Sequence, residues 1–327
     1  MTAAAPAAAP AAAHPLRGTL LVLISAACFG TTLIFTQRAL DGGATLLALL
    51  AYRYVLGTLM LGAAAGGVSP VLAVGERKWR LLLIGGVAQT AIAGLSVASI
   101  RFIPAASVAF LFYTYPTWVA VLAIVRRTEP VDARKSAALV LSLAGIVTIV
   151  GNPFATNLDP RGIGLALTAA LVYALMIPWL GKIQEGLKPA AAMTWIALGA
   201  AVCFLIGALA TGTALFPAST ALLVNAGALA LIATTLAFTT FLAGLAALGP
   251  VRTSIVSTVE PFWTALLAGV VLGQEVGPRT WIGGAMIAAA MVILQSKPAR
   301  KPEPASTARL HHGMPLPPVL PNTCPVE

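Results

Sequence analysis

The chain has 327 residues, 59% of them hydrophobic and only 9% charged, with a mean hydropathy of +0.92. Soluble domains carry about 25% charged residues, and a water-soluble fold cannot hide this much apolar surface, so the bilayer is the solvent for most of the chain. The net charge of +10 suggests nucleic acid at first sight, but the positions of the charges exclude that partner.

Residues 1–16 open with an uncharged Ala/Pro run and are expected to form a disordered tail, because the basic start of a secretory signal is missing. At about 20 residues per crossing, apolar stretches predict ten transmembrane helices near 18–36, 45–66, 81–100, 104–125, 135–151, 162–181, 191–210, 221–243, 250–273 and 280–296. A turn-rich joint at 152–160 separates the first five spans (17–151) from the second five (161–296). Residues 297–327 are rich in Pro and mixed charge and are expected to be a disordered cytoplasmic tail.

The second five spans repeat the first. Tyr115-Pro116-Thr117-Trp118 echoes Glu260-Pro261-Phe262-Trp263 at an offset of 145, and Ile103-Pro104-Ala105 matches Leu248-Gly249-Pro250 at the same offset. Arg17-Gly18 matches Arg161-Gly162 at 144. Because five is odd, the two copies enter the membrane in opposite orientations. The expected fold is therefore an all-α membrane protein of ten transmembrane helices in two inverted-topology five-helix repeats, an architecture common among secondary transporters.

The charges orient it. With the N-terminus inside, one side of the membrane receives 15 basic residues, among them Arg77, Arg126, Lys135, Lys182 and Arg252. The other receives 4: Arg38, Arg101, Arg161 and Arg279. This is the positive-inside bias, which puts both termini in the cytoplasm. The expected partners are lipid headgroups rather than nucleic acid. Gly62-xxx-Gly66 spacing allows close helix approach, either within a monomer or in a weak dimer.

Glu260 is the sharpest candidate for chemistry, since a mid-span carboxylate costs several kcal/mol to insert. It reads as a proton-coupling site, a clamp for a cationic group, or a structural hydrogen-bonding group. Pro116 and Pro261 each remove one intrahelical hydrogen bond and predict kinks near mid-depth, where transporters bind solutes. Helical spacing places Trp118 beside Tyr115 and Trp263 beside Glu260, as ring-stacking surfaces or as packing. Gln89, Tyr173 and Thr235 add polar contacts to a solute or between helices. Arg53, near the start of span two, is expected to snorkel to the interface, with pairing to Glu260 or to an anion as alternatives. His occurs only at positions 14, 311 and 312. No metal-binding, nucleotide-binding or hydrolase motif stands in a suitable context, so neither an enzyme nor a cofactor is expected.

The duplicated pattern resembles the ten-span exporters of the drug/metabolite transporter superfamily, built from two EamA-type domains. In that family a Pro in the fourth span of each repeat is followed by a Glu near the next loop and then a small-residue-rich fifth span. Here Pro116…Glu129 precedes 137–150 with Gly145, and Pro261…Glu275 precedes 282–294 with Gly283-Gly284. Ala51-Tyr52-Arg53-Tyr54 is similar to the family's basic start of span two. The resemblance covers roughly 17–296, and Pro-to-Glu spacing departs by one residue, 13 against 14.

The resemblance implies an inner-membrane carrier that exports small metabolites by alternating access, with a cavity lined by spans one, three, four, six, eight and nine. Amino acids with apolar or aromatic side chains are the expected substrates, with protons as a candidate coupling ion. Efflux of lipophilic cationic drugs is the alternative within transport, and a non-transporting membrane protein is the alternative outside it.

Overall fold

The computed structural model describes residues 15–151, 158–215, 218–273 and 275–295. Nearly all of the N-terminal tail (1–14), the C-terminal tail (296–327) and most of the joint between the repeats fall outside the described residues. Every described element is helical. Among the described residues, nine helices are long and apolar enough to cross a membrane: span one, Leu16–Asp41; span two, Leu46–Ala64; span three, Arg77–Ile100; span four, Ser107–Val125; span five, Ala133–Val150; span six, Pro160–Ile183; span seven, Pro189–Ala210; span eight, Thr220–Leu248; and span nine, Pro250–Val271. Span ten, Pro278–Gln295, has 18 residues; Arg279 and Gln295 at its ends dilute its apolar character.

Side chains set the span starts. Thr45 accepts from the Ala48 N–H at 3.3 Å, Asp132 from Lys135 at 2.9 Å, Asp159 from Arg161 at 2.8 Å and Ser219 from Leu222 at 3.1 Å. Each cap satisfies one backbone donor that the first helical turn leaves unpaired. The Lys135 N–H, aided by the Arg134 and Lys135 charges, holds Asp132 below the usual carboxylate range. Span one runs past its expected end at residue 36 because Gln37 donates to Asp41 one turn on, at 2.8 Å.

The packing has an approximate twofold pattern. Span two lies along span seven and span five along span ten, while spans one and eight pair as spans six and three do. Matched glycines mark the last two contacts. A Cβ on Gly18 would meet the Leu248 side chain at 2.8 Å, and one on Gly162 would meet Ile103 at 2.7 Å. Spans five and ten approach through reciprocal glycines, since a Cβ on Gly145 would lie 2.8 Å from the Gly283 carbonyl oxygen and one on Gly283 would lie 2.5 Å from that of Gly145. Lipid offers no hydrophobic gain for helix association, so small residues supply the close van der Waals contact instead.

The two prolines break their spans. Span four divides into Ala105–Phe112 and Tyr115–Val125, and span nine into Pro250–Ser257 and Glu260–Leu272. In each case the first segment stops four residues before the proline, where the ring clashes with the carbonyl of that residue. Spans three and eight each contain a π-helical stretch, Leu81–Gly85 and Leu229–Leu236. Span one is also broken, at Thr31, whereas span six continues through Pro178.

Candidate functional site

The broken middles of spans four and nine face one another. On an intact helix, residues two apart point about 200° apart. The break at Tyr113-Thr114 removes that constraint and brings the Tyr113 and Tyr115 rings to 6.4 Å between centroids. Phe112 stacks on Tyr173 of span six at 5.6 Å, Tyr115 meets Tyr173 edge-on at 4.7 Å, and Tyr173 stacks toward Phe241 of span eight at 6.4 Å. Opposite them, Glu260 interacts with the Tyr113 hydroxyl, and Ser257 with that of Tyr115. Glu260 is enclosed by protein yet keeps accessible surface, as do Phe112 and Tyr173. These groups form a cluster of one carboxylate and several aromatic rings between spans four, six, eight and nine.

A positive charge lies in the same interior. Arg53 does not snorkel; it is buried, 7% exposed. Its Nε donates to Thr234 Oγ1 at 2.9 Å and its Nη2 to the Ala233 carbonyl at 3.0 Å, and the guanidinium lies 5.4 Å from the Tyr54 ring centroid. The widened turn of span eight presents both acceptors, in keeping with the frequent placement of π-bulges at functional sites. Gln89 donates to the Tyr54 hydroxyl at 2.8 Å, and Tyr54 stacks on Phe204 at 5.4 Å. Arg53 forms no ion pair among the described residues.

The residues expected from sequence divide. Tyr115 and Tyr173 meet in the aromatic cluster beside Glu260, at the breaks that Pro116 and Pro261 produce. Gln89 is buried beside Tyr54. Trp263 is partly buried, with its indole Nε1 sealed and lacking an acceptor among the described residues. Trp118, 39% exposed, shares an outward stripe with Val121 and Val125 and does not join Tyr115, which is 1% exposed. The Thr235 hydroxyl donates to Ala230 O at 2.8 Å inside the π-helical stretch, while its neighbour Thr234 faces Arg53. Sequence reasoning missed Tyr113, Phe112, Phe241 and Ser257. The signal for Tyr113 was its position two residues before Tyr115 on the approach to a helix-breaking proline.

A cavity of about 560 Å³ opens at one end of the bundle, lined by Val119, Arg126, Glu129, Trp179, Lys182 and Gln184 among others. Glu260 and the Tyr115–Tyr173 pair are not among the residues lining this vestibule. At the vestibule rim, Glu129 accepts from Lys135 Nζ at 2.7 Å and from the Val251 N–H at 3.3 Å. It thereby ties the end of span four to the start of span nine. The turn there needs Gly249, with φ +78°, whose Cβ position lies 3.4 Å from the Glu129 carboxylate. Glu275, the matching acid of the second repeat, is exposed. Replacing Glu129 with Gln is expected to cost about 1.5–3 kcal/mol, the range for a hydrogen bond to a charged group. A lowered thermal midpoint, absent when Lys135 has already been changed to Met, checks this.

The duplication is also what comparison with known proteins finds. A model of the EamA-like transporter family matches residues 16–151 and again 160–295. The chain belongs to that family. Its two EamA domains place it in the drug/metabolite transporter superfamily. It is 27% identical over 202 residues to YicL, an uncharacterized inner membrane transporter of Salmonella typhimurium, covering 60% of this chain and 66% of the relative. The chain thus spans just under two-thirds of that relative's length. A solved crystal structure shares the fold with a TM-score of 0.70 at 17% identity, covering 85% of this chain and 96% of the other. In EamA terms, the aromatic wall comes from the fourth span of the first domain and the first and third spans of the second, and the carboxylate from the second domain's fourth.

Proposed function

We propose that the protein is a secondary carrier of the inner membrane that exports small amphipathic metabolites by alternating access, with amino acids bearing apolar or aromatic side chains as its substrates. The observation that carries this reading is the cluster at the breaks of spans four and nine, where the Glu260 carboxylate lies beside Tyr113 and near the Phe112, Tyr115, Tyr173 and Phe241 rings. Such a mostly apolar pocket with few convergent polar groups is the usual form of a small-molecule site. The two broken helices supply the flexible joints about which one repeat rocks against the other.

Export fits the vestibule, which opens at the membrane face that the basic loops assign to the cytoplasm. Glu260 then serves as the charge or proton site that links solute movement to a gradient. The alternative of lipophilic-cation efflux draws on the same aromatic wall and acid, but buried Arg53 places an opposing positive charge in that interior. Counterflow in reconstituted vesicles against amino acids, cationic dyes and sugar phosphates tests the proposal. Exchange of phenylalanine-like amino acids is expected, and exchange of the dyes alone would select the alternative.

A further inference from the structure

The vestibule has a polar mouth and an apolar inner wall. The ends of spans four, six, eight and nine supply it, the same four spans that meet in the aromatic cluster. Two cations line it: Arg126 at the end of span four and Lys182 in the last turn of span six, both exposed. Neither forms an ion pair among the described residues. The acids that line the cavity leave them under-compensated. Glu129 is taken by Lys135 and the Val251 N–H, and Glu185, exposed in the turn after Lys182, makes no ion pair with it. Gln184, 4% exposed, commits its Nε2 to the Leu242 carbonyl at 3.1 Å. Inward from Arg126 the lining turns apolar, through buried Ala123 to buried Val119, with Leu122, Trp179 and Leu245 beside them. At 1.5 Å per residue, Arg126 and Val119 are about 10 Å apart along the helix axis. The cavity's volume of about 560 Å³ suits a small organic solute.

We infer that the vestibule is an antechamber that binds amphipathic carboxylates end-on, the carboxylate held at the mouth by Arg126 and Lys182 and the apolar body leading inward along Leu122, Val119 and Leu245. The inference rests on the carrier reading and deepens it, because it selects solutes by charge before they reach the helix breaks. A carboxylate gains charge-assisted hydrogen bonds at the mouth, and its apolar body covers the inner wall. An α-amino acid with an apolar side chain carries both parts. A lipophilic cation meets like charges at the mouth, which disfavours it. A small inorganic anion meets the cations but leaves the apolar wall uncovered. The positive-inside bias explains why basic residues lie on this face, but not why two of them flank a cavity whose inner lining is apolar.

The test places a thiol on the inner wall by Leu122→Cys in the full chain, with Cys28, Cys203 and Cys324 changed to Ala, in vesicles of neutral lipid. Anionic and cationic methanethiosulfonate reagents of similar size then label it, each rate taken relative to that with a free thiol in solution. The anionic reagent is expected to be favoured about tenfold, the low end of electrostatic steering. Changing both Arg126→Gln and Lys182→Gln should remove that preference. Arg127→Gln, the same charge change outside the lining, is the control and should keep it. 3-Phenylpropionate and L-phenylalanine should slow the labelling, whereas phenethylamine and inorganic phosphate should not. Protection of this kind separates a binding site from a merely basic surface. The inference is overturned if the reagents react alike, if phenethylamine protects as well as 3-phenylpropionate, or if anionic lipid protects and neither carboxylate solute does. If the antechamber fails while phenylalanine counterflow persists, the carrier reading stands. If 3-phenylpropionate protects but no solute exchanges, the binding site stands and the carrier reading falls.

Discussion

Replacing Glu260 with Gln is expected to lower solute counterflow about ten- to a hundredfold and to abolish its response to a pH gradient, while the thermal midpoint stays near that of the wild type. Gln keeps the volume of the side chain and an oxygen for the Tyr113 hydroxyl, but it neither carries a charge nor exchanges a proton. A hydrogen bond to a charged group is worth about 1.5–3 kcal/mol, and about 1.4 kcal/mol is tenfold in an equilibrium constant, which sets the expected range. A carboxylate at this depth is expensive to insert, so removing its charge should not weaken the fold. Proteoliposomes at matched internal pH, with the external pH stepped, measure the effect. Unchanged pH-dependent flux in the variant would rule out a coupling role for Glu260.

The second large effect is structural. Gly199 of span seven and Gly86 of span three meet backbone to backbone. A Cβ on Gly199 would run into the Leu82 carbonyl oxygen, and one on Gly86 would lie 2.6 Å from the Gly199 Cα. No flexible side chain stands there to move aside, so Gly199→Ala forces the two helices apart. Overpacking of this kind costs about 1–3 kcal/mol, read as a lower midpoint of thermal unfolding in detergent. Gln89 lies one turn from Gly86 on span three, so the same displacement should pull it from the Tyr54 hydroxyl and reduce transport as well. Gly94→Ala is the control on the same helix. Nothing lies within 4 Å of a Cβ there, and its midpoint should hold or rise, since Ala is the better helix former by about 0.5–1 kcal/mol. Equal losses for both glycines would refute this account of the contact.

Much of the fold was legible because it depends on local properties. Apolar length gave the spans, and proline chemistry gave the breaks in spans four and nine, four residues upstream of Pro116 and Pro261. The repeat offset paired Tyr115 with Glu260, and both lie in the cluster at the helix breaks. Face assignment was harder. Trp118 and Tyr115 are three residues apart, which leaves about 60° between them on the helix, enough for one to turn outward with Val121 while the other is buried. Thr235 was displaced by Thr234 for a related reason, since the π-helical stretch Leu229–Leu236 changes the angle per residue and defeats a reading at a 3.6-residue period. Arg53 looked like an interfacial residue because it lies near the start of its span, and only its partners on span eight show that it turns inward.

The sequence by itself determined the solvent, the number of crossings, the duplication and the breaks beside Pro116 and Pro261, because each follows from composition, from a repeated pattern or from the chemistry of proline, whereas the break at Thr31 and the unbroken passage through Pro178 do not. The tertiary structure alone decided which polar groups meet. Arg53 finds Thr234 across 181 positions of chain, and Tyr113 finds Glu260 across the boundary between the repeats. In lipid nearly every helix face is apolar, so hydrophobic pattern does not select the inward one. Close packing of small residues and the phase shifts at breaks and π-turns make that choice, and they act only once the helices are assembled.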